Sequence, residues 1–563
     1  MKKKLRMPVG IDNFQKLRQG YYFVDKTSFI RDLIDGHSEA TLITRPRRFG
    51  KTLTLSMLHC FFTIENAEEN RKLFDGCAIS RAGEEYMAEQ GTRPVVFLSL
   101  KDLKDRSFDL MLEHFAALMQ STYSSFRYLM EENLLYPEER DLFQSVLSRR
   151  ASMADLQDSL KNLTQYLSRF HHRPVLLLID EYDAPIQFAW DNDYYEDAIS
   201  FFRNFLSAAL KTNPCLDFAV MTGVLRIAKE SIFSSLNNLD VSSVVSGIYA
   251  DVMGFTRQEV EQMAADFGCP EKITEIRNWY DGYNFSGMEI YNPWSVINYF
   301  HRNLQPSLYW VNTSGNSILA ELLKHASTAQ VRDIHALMDR KSIYATLDEG
   351  VIYAELHENL AALYSVLLTT GYLTLDSRPD PYDGDSLYSM RIPNQEIRML
   401  YKKEILRHMD RMVSRPNLMN EMLSGILSGE TSKFAECLAT YLESMASFHD
   451  TANRETFYHG LMLGLLAMLI PRYRVVSNRE SGYGRFDIAV FPQQNQSPGI
   501  LMEFKVAASE ADLQKMAETA LSQMENMDYM TEFRTHHITD IWQYGIAFCG
   551  KKCHIEAAED QVE

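Results

Sequence analysis

No apolar run in the 563-residue sequence is long enough to cross a bilayer: the longest, Leu461 to Ile470, is about half of the ~20 residues needed. The N-terminus, MKKKLRMPVGIDNF, begins with charge as an export signal would, but polar residues interrupt it before an apolar stretch forms. Both absences argue against export and membrane insertion. Cysteine is scarce: Cys60, Cys77, Cys215, Cys269, Cys437, Cys549 and Cys553 form an odd, scattered set of 7, which excludes a disulfide framework and suits a reducing cytoplasm. Only Cys549, Cys553 and His554 cluster, in CGKKCH, and no second pair at matching spacing completes a zinc site. Glycine and proline are few, 26 and 17, and there is no internal repeat or low-complexity tract, so collagen-like and disordered classes are excluded. Positive charge is in deficit. At a net charge of −18 no overall basic field draws the chain to nucleic acid or an anionic membrane, and any DNA contact must be a local patch.

What is present is a globular composition, 46% hydrophobic and 23% charged. At about 150 residues per domain, the length suggests three or four units. The first half alternates helical patterns with short apolar runs: ATLIT at 40–44, PVVFLSL at 94–100, PVLLLIDE at 174–181 and LDFAVMTG at 216–223. The runs are continuous rather than alternating, as in strands covered on both faces, which predicts a parallel α/β sheet. From about Glu321 to Ser447 the pattern is mostly helical, interrupted by GYLTLDSRPDPYDGDSLYSMRIPN, where two strand-like pieces flank a loop rich in Asp, Pro and Gly. A winged-helix-like module and an ordinary surface hairpin both fit it. A helix around Asn453 to Ile470 then precedes three strand-like runs, RYRVVSNRE, GRFDIAVF and GILMEFKV, so a second, small α/β domain ends the chain.

The segment TLITRPRRFGKTLTLSMLHCFF reads as buried strand, loop, then a helix starting near Gly50. A nucleoside triphosphate needs backbone N–H groups at a helix N-terminus, one lysine reaching its β/γ-phosphates and a hydroxyl on Mg²⁺. Lys51 and Thr52 fill the last two roles, with Arg47, Arg48, Phe49 and Gly50 forming the loop. The usual glycine six positions before the lysine is replaced by Arg45. The run Val175 to Ile179 leads into Asp180, placed to order the Mg²⁺, and Glu181, placed to polarise an attacking water as a hydrolase requires. Thr222, after the strand LDFAVM, is a candidate γ-phosphate sensor, with Arg226 four residues on; a helix cap is the alternative for Thr222. Arg47 and Arg48 either touch phosphates, act on a neighbouring subunit or are solvated loop charges. The aromatics of WYDGYNF and YNPWS, Trp279 to Phe285 and Tyr291 to Ser295, read as packing for a lid or domain junction.

Near the C-terminus GRFDIAV carries Asp487, and LMEFKV presents Glu503 and Lys505 two residues apart, on one face of a strand. If the two strands pair, Asp487 and Glu503 converge on one Mg²⁺ with Lys505 beside them, the set that phosphodiester hydrolysis needs. Glu455, on the preceding helix, would complete the cluster; His459, four residues later, shares its helical face and reads more simply as a packing histidine. The D…ExK pattern is permissive alone. The order helix, strand, strand, helix gives it context.

Together these segments resemble the predicted AAA-ATPase-like family of anaerobic gut bacteria, whose members often end in a PD-(D/E)XK nuclease. The resemblance rests on PVGIDNFQKLRQGYYFVDKT, TRPRRFGKT, LLLIDEYDAP, TGVLRIAKESIFSSLNNL, WYDGYNF and YNPWSVINYF, then FYHGLMLGLL, SNRESGYGRFDIAV and EFK, reaching to about Tyr529. It implies that RPRRFGKT is the ordinary form of the loop, that an extra strand separates the loop strand from the Asp-Glu strand, and that Glu455, Asp487, Glu503 and Lys505 match nuclease residues. Gln523, on a helix expected over Ala511 to Met527, would reach that site; the tyrosine usual four residues beyond it is absent, Tyr529 following at six.

The expected architecture is therefore α/β: an N-terminal P-loop ATPase domain over 6–255, a lid and helical connector over 256–440 and a nuclease-like domain over 441–555. The expected function joins an ATPase to a Mg²⁺-dependent DNA nuclease. The alternative is an ATP-driven switch or assembly protein whose last domain only binds nucleic acid or protein. ATP and Mg²⁺ are the expected cofactors, nucleic acid the partner, with homo-oligomerisation open.

Overall fold

The computed structural model describes residues 6–131, 134–226, 238–245, 248–310, 328–347, 360–376, 387–413, 417–445, 455–469, 472–481, 484–493, 497–526, 533–534, 536 and 538–561. The chain divides into two compact units, Met1–Asn312 with Tyr344–Glu396, and Thr313–Ile343 with Ile397–Glu563. These units and the three sequence stretches are different divisions of the chain.

The first unit is built on a parallel sheet of β1 (Ala40–Thr44), β2 (Val95–Ser99), β3 (Val175–Asp180), β4 (Leu216–Gly223) and β5 (Leu239–Ser242), ordered β2-β3-β4-β1-β5. The expected extra strand is β4, between the loop strand β1 and the Asp-Glu strand β3. Every residue of β1 and β3 is buried, which is why these segments are unbroken apolar runs. The helices between strands carry their own start signals. Met153–His171 opens with a capping box in which the Ser152 hydroxyl accepts from Asp155 N–H and the Asp155 carboxylate accepts from Ser152 N–H. Two short strands, β6 (Phe255–Thr256) and β7 (Tyr283–Phe285), flank β8 (Met288–Tyr291) in an order β6-β8-β7. The β7–β8 hairpin turns on Ser286 and Gly287, both with left-handed φ (51° and 94°), as a two-residue turn that follows strand twist demands. Helices Arg257–Asp266, Ile273–Tyr280 and Pro293–His301 pack beside it around Val260, Met263, Ile276, Tyr280, Val296 and Tyr299. The strand-like pieces of the middle region are short: after β9 (Ile343–Ala345), β10 (Thr374–Leu375) pairs antiparallel with β11 (Tyr388–Arg391), a hairpin whose connecting loop, 377–386, lies outside the described residues.

The second unit contains helices Thr328–Met338, Leu418–Ser428, Thr431–Met445 and Glu455–Leu466, then a sheet of β12 (Tyr473–Ser481), β13 (Gly484–Pro492), β14 (Gly499–Val506), β15 (Asp540–Cys549) and β16 (Lys552–Gln561) in sequential order. Only β14 and β15 run parallel, and helix Leu513–Asn526 makes that crossover. It packs so closely that a Cβ on Gly545 would lie 2.2 Å from Ala517 O, so glycine is required there. CGKKCH is the β15–β16 turn: Cys549 pairs with Lys552, the Cys553 thiol points at Ala435 O and His554 bonds Glu556 at 2.7 Å. All seven cysteines are free. Among the described residues no helix is long and apolar enough to cross a membrane.

Two candidate phosphoryl-transfer sites

At the C-terminal end of β1 the chain turns through Arg45–Gly50 into helix Lys51–Phe62. Gly50 caps that helix with φ 91°, and Arg48 also lies in the left-handed region at 69°. The helix therefore starts with its N–H groups turned into the loop and no side-chain cap occupying them. Lys51 is 5% exposed, and its ammonium donates to Arg45 O at 3.0 Å and Pro46 O at 2.9 Å, folding back over the loop. Burial lowers its pKa, opposed by the carboxylates of Glu181, Asp183 and Asp180. Beneath it, Asp180 at the end of β3 accepts a hydroxyl on each oxygen: Thr52 at 2.7 Å and Thr222 at 2.6 Å. The sheet order makes this possible, since β4 places Thr222 between the loop strand and the Asp-Glu strand. Glu181 follows with φ 51° and lines, with Gly50, Lys51 and Thr52, a cavity of about 370 Å³. Its remaining walls are largely apolar, among them Met7, Ile11, Val24, Met263 and Trp294.

The loop side chains sort differently. Phe49 is buried against Tyr283 and Phe285, so its ring anchors the loop. The Arg48 guanidinium lies 3.9 Å from the centre of the Trp294 ring, and Arg47 donates to Gln187 at 3.0 Å. Arg45, where a glycine is usual, turns away from the site. It is fully buried and donates to Thr44 O, Ser242 O, Ser242 Oγ and Tyr249 O, pinning β1 to β5; burial brings its pKa down to about 9. The motif aromatics pack against the loop: Trp294 covers Arg48, while Trp310, unforeseen from sequence, donates from its indole to Arg47 O at 3.1 Å. Arg226 follows β4, half-buried, with its Nε lacking a hydrogen-bond partner.

In the second unit β13 and β14 pair with Ile488 opposite Met502, so the next step outward sets Asp487 across from Glu503. There the ladder gives way: the Asp487 carboxylate accepts Phe504 N–H at 2.7 Å. Glu503 is 3% exposed. Its Oε1 accepts from Lys505 Nζ at 3.3 Å and from Gln523 Nε2 at 2.5 Å, and its Oε2 is buried without a partner. Burial, then repulsion from Asp487, pushes its pKa up to about 7. A buried carboxylate oxygen without a partner, near enough to Asp487 to be repelled by it, is what a cation would satisfy, so these residues fit a divalent metal. Among the described residues no group of three or more His, Cys, Asp or Glu gathers, and the Glu455 side chain lies outside them. The structure brings Lys505 and Gln523 to Glu503; Tyr529 lies outside the described residues. His459 bonds the backbone oxygen of Asp487, at 3.1 Å, beside the Phe504 ring.

The fold and sites define a two-part protein, an α/β ATPase-like unit followed by a restriction-endonuclease-like one. Residues 8–233 match the family model described as predicted AAA-ATPase, and residues 453–558 match that of the PD-(D/E)XK nuclease superfamily. A relative in Azotobacter chroococcum mcd 1, the uncharacterized protein in the vnfD 5' region, is 26% identical over 546 residues, covering 94% of each chain.

Proposed function

We propose that the protein binds and hydrolyses ATP at the first site and cuts phosphodiesters of DNA, with Mg²⁺, at the second. The observation that carries the first half is the hydrogen-bonded set Thr52–Asp180–Thr222 beneath Lys51, at the C-terminal edge of a parallel sheet. On binding, the Lys51 ammonium exchanges two loop carbonyls for the β/γ-phosphates, Gly50 and the helix N–H groups cradle them, and the apolar cavity takes the base. Thr222 reads the γ-phosphate, and Glu181 orients a water and accepts its proton at a carboxylate oxygen. Thr52 and Asp180 would hold Mg²⁺ in the first site, Asp487 and Glu503 in the second, where the ion supplies Lewis acidity and lowers the pKa of a bound water. Lys505 orients that water or offsets charge developing on the phosphate, and Glu455 is proposed to join the pair. Gln523 holds the Glu503 carboxylate in place.

The intact Asp487, Glu503 and Lys505 favour a cutting enzyme over a domain that only binds. Nucleic acid would meet the acidic chain through a local patch, in a reducing cytoplasm that suits its free cysteines. Defence against mobile elements, or carriage by them, is the biological setting suggested by the family resemblance. Self-association around nucleotide completes the reading, and sedimentation with and without an ATP analogue tests it. The activity itself is tested by assaying the full chain for ATP turnover and for Mg²⁺-dependent cleavage of plasmid and single-stranded DNA. Both activities are expected; no cleavage of either DNA under any divalent cation would sink the nuclease half.

A further inference from the structure

Tyr182 and Asp183 follow Asp180 and Glu181 directly, and both are buried. Neither faces solvent or a loop of its own; both reach across to the exit of β4. A single oxygen of Asp183, Oδ2, accepts Val224 N–H and Leu225 N–H at 2.9 Å each. Tyr182 N–H donates to Thr222 O at 3.1 Å, and the Tyr182 hydroxyl donates to Leu225 O at 2.7 Å. Four bonds thus stitch the turn after β3 to the end of β4. Room is reserved for the stitch: a Cβ on Gly223 would stand 2.6 Å from the Tyr182 ring and 2.7 Å from Asp183 Oδ1.

Glu181 sits between two fixed points. On one side Asp180 is held by Thr52 and Thr222, and on the other side the stitch begins. Its φ of 51° is one that a residue with a side chain keeps only when its surroundings impose it. We infer that Asp183 is a positioning residue: its two bonds to Val224 and Leu225 hold Glu181 in this conformation, with its carboxylate on the Lys51 side of the cavity. The inference rests on the proposed role of Glu181 in ATP hydrolysis. The clamp requires an acceptor oxygen at one place, not a negative charge, and that separates it from any direct chemical role for Asp183.

The test measures ATP turnover, binding of a fluorescent ATP analogue and thermal melting on the full chain for Asp183→Asn, Asp183→Ala, Gly223→Ala, Glu181→Gln and the double variant Asp183→Ala/Glu181→Gln. Asn keeps the acceptor oxygen, so kcat should stay within about 3-fold of wild type. Ala at 183 should lower kcat by roughly 10- to 100-fold with nucleotide affinity changed by less than about 3-fold, and should cost nothing further in the Glu181→Gln background. Gly223→Ala crowds the same clamp from the other side while leaving every hydrogen-bonding group in place, so it should reproduce the kcat defect even if Asp183→Ala melts early. Asp183→Asn as inactive as Asp183→Ala, equal losses in both backgrounds, or binding lost in parallel with kcat would each overturn the proposal. Glu181→Gln turning over at the wild-type rate would instead remove Glu181 from the chemistry and take the clamp's purpose with it, a failure the same assay tells apart.

Discussion

In the first unit Lys51 donates to Arg45 O and Pro46 O, and each Asp180 oxygen accepts a threonine hydroxyl; in the second, Glu503 is as deeply buried but leaves Oε2 unbonded opposite Asp487. Ligand binding therefore means different things at the two places. On the proposed reading ATP would exchange bonds that the protein already makes, so its affinity would be a difference between two satisfied states. A cation at Glu503 removes an existing penalty, since an unpartnered buried carboxylate oxygen costs about 1–3 kcal/mol. The contrast recurs between two glutamates whose pKa values burial pushes up to about 7. Glu396, in the first unit, accepts from the Ser295 hydroxyl and Trp310 N–H, both at 2.7 Å, and is a structural pin. Glu503 has the same buried carboxyl and a reason to meet a metal.

The largest effect expected is at Lys51. Lys51→Ala removes the one ammonium at the loop, and titration with a fluorescent ATP analogue should show affinity lower by at least roughly 100-fold. Residual tight binding would mean that helix N–H groups alone hold the phosphates. Arg45 should fail in the other direction: Arg45→Ala strands three buried carbonyls and should cost about 3–5 kcal/mol in denaturant unfolding, because this arginine is a pin and not a phosphate ligand.

The two glutamates sharpen the contrast through pH. A carboxyl whose pKa rises on folding binds its proton more tightly in the native state, so stability declines as pH rises from about 4.5 to about 7, by on the order of 3 kcal/mol per group. Glu396→Gln and Glu503→Gln should each flatten that decline in melts compared at about pH 5 and about pH 8 in chelator. Mg²⁺ added at the higher pH should restore stability in wild type and in Glu396→Gln, and do nothing for Glu503→Gln. Equal rescue of all three would deny Glu503 its metal.

The smallest effect is coupling. Nucleotide control of cleavage requires that ATP favour one domain arrangement over another, by roughly 1–3 kcal/mol, which is several-fold in rate. Cleavage compared with no nucleotide, ADP, ATP and a non-hydrolysable analogue, at fixed free Mg²⁺, should differ between at least two states, and Lys51→Ala should erase the difference. Indifference throughout would leave the sites merely linked.

Legibility in the sequence followed burial. ATLIT and VLLLID are strands end to end because two-sided burial writes a continuous apolar run. β5, reading LDVS, is half-exposed and carries an aspartate, so it has no such signature. In the β15–β16 hairpin it is β16, reading KCHIEAAEDQ, that mixes polar and apolar residues, and CGKKCH is a two-residue turn rather than a cysteine cluster. Asp180, Lys51 and Thr52 were legible because their partners are near one another in the motif logic of a strand, loop and helix. Arg45 and Asp183 were not. Their bonds go to backbone groups about 200 and about 40 residues away, and a backbone acceptor or donor leaves no mark in the side-chain pattern.

The central claim is that one chain carries two separate phosphoryl-transfer sites. ATP hydrolysis and Mg²⁺-dependent DNA cleavage, measured in parallel on full-length wild type, Asp487→Ala and Glu503→Ala, test it most directly. Either substitution should abolish cleavage and leave ATP turnover within about 2-fold of wild type. DNA cut at the wild-type rate by both variants would contradict it.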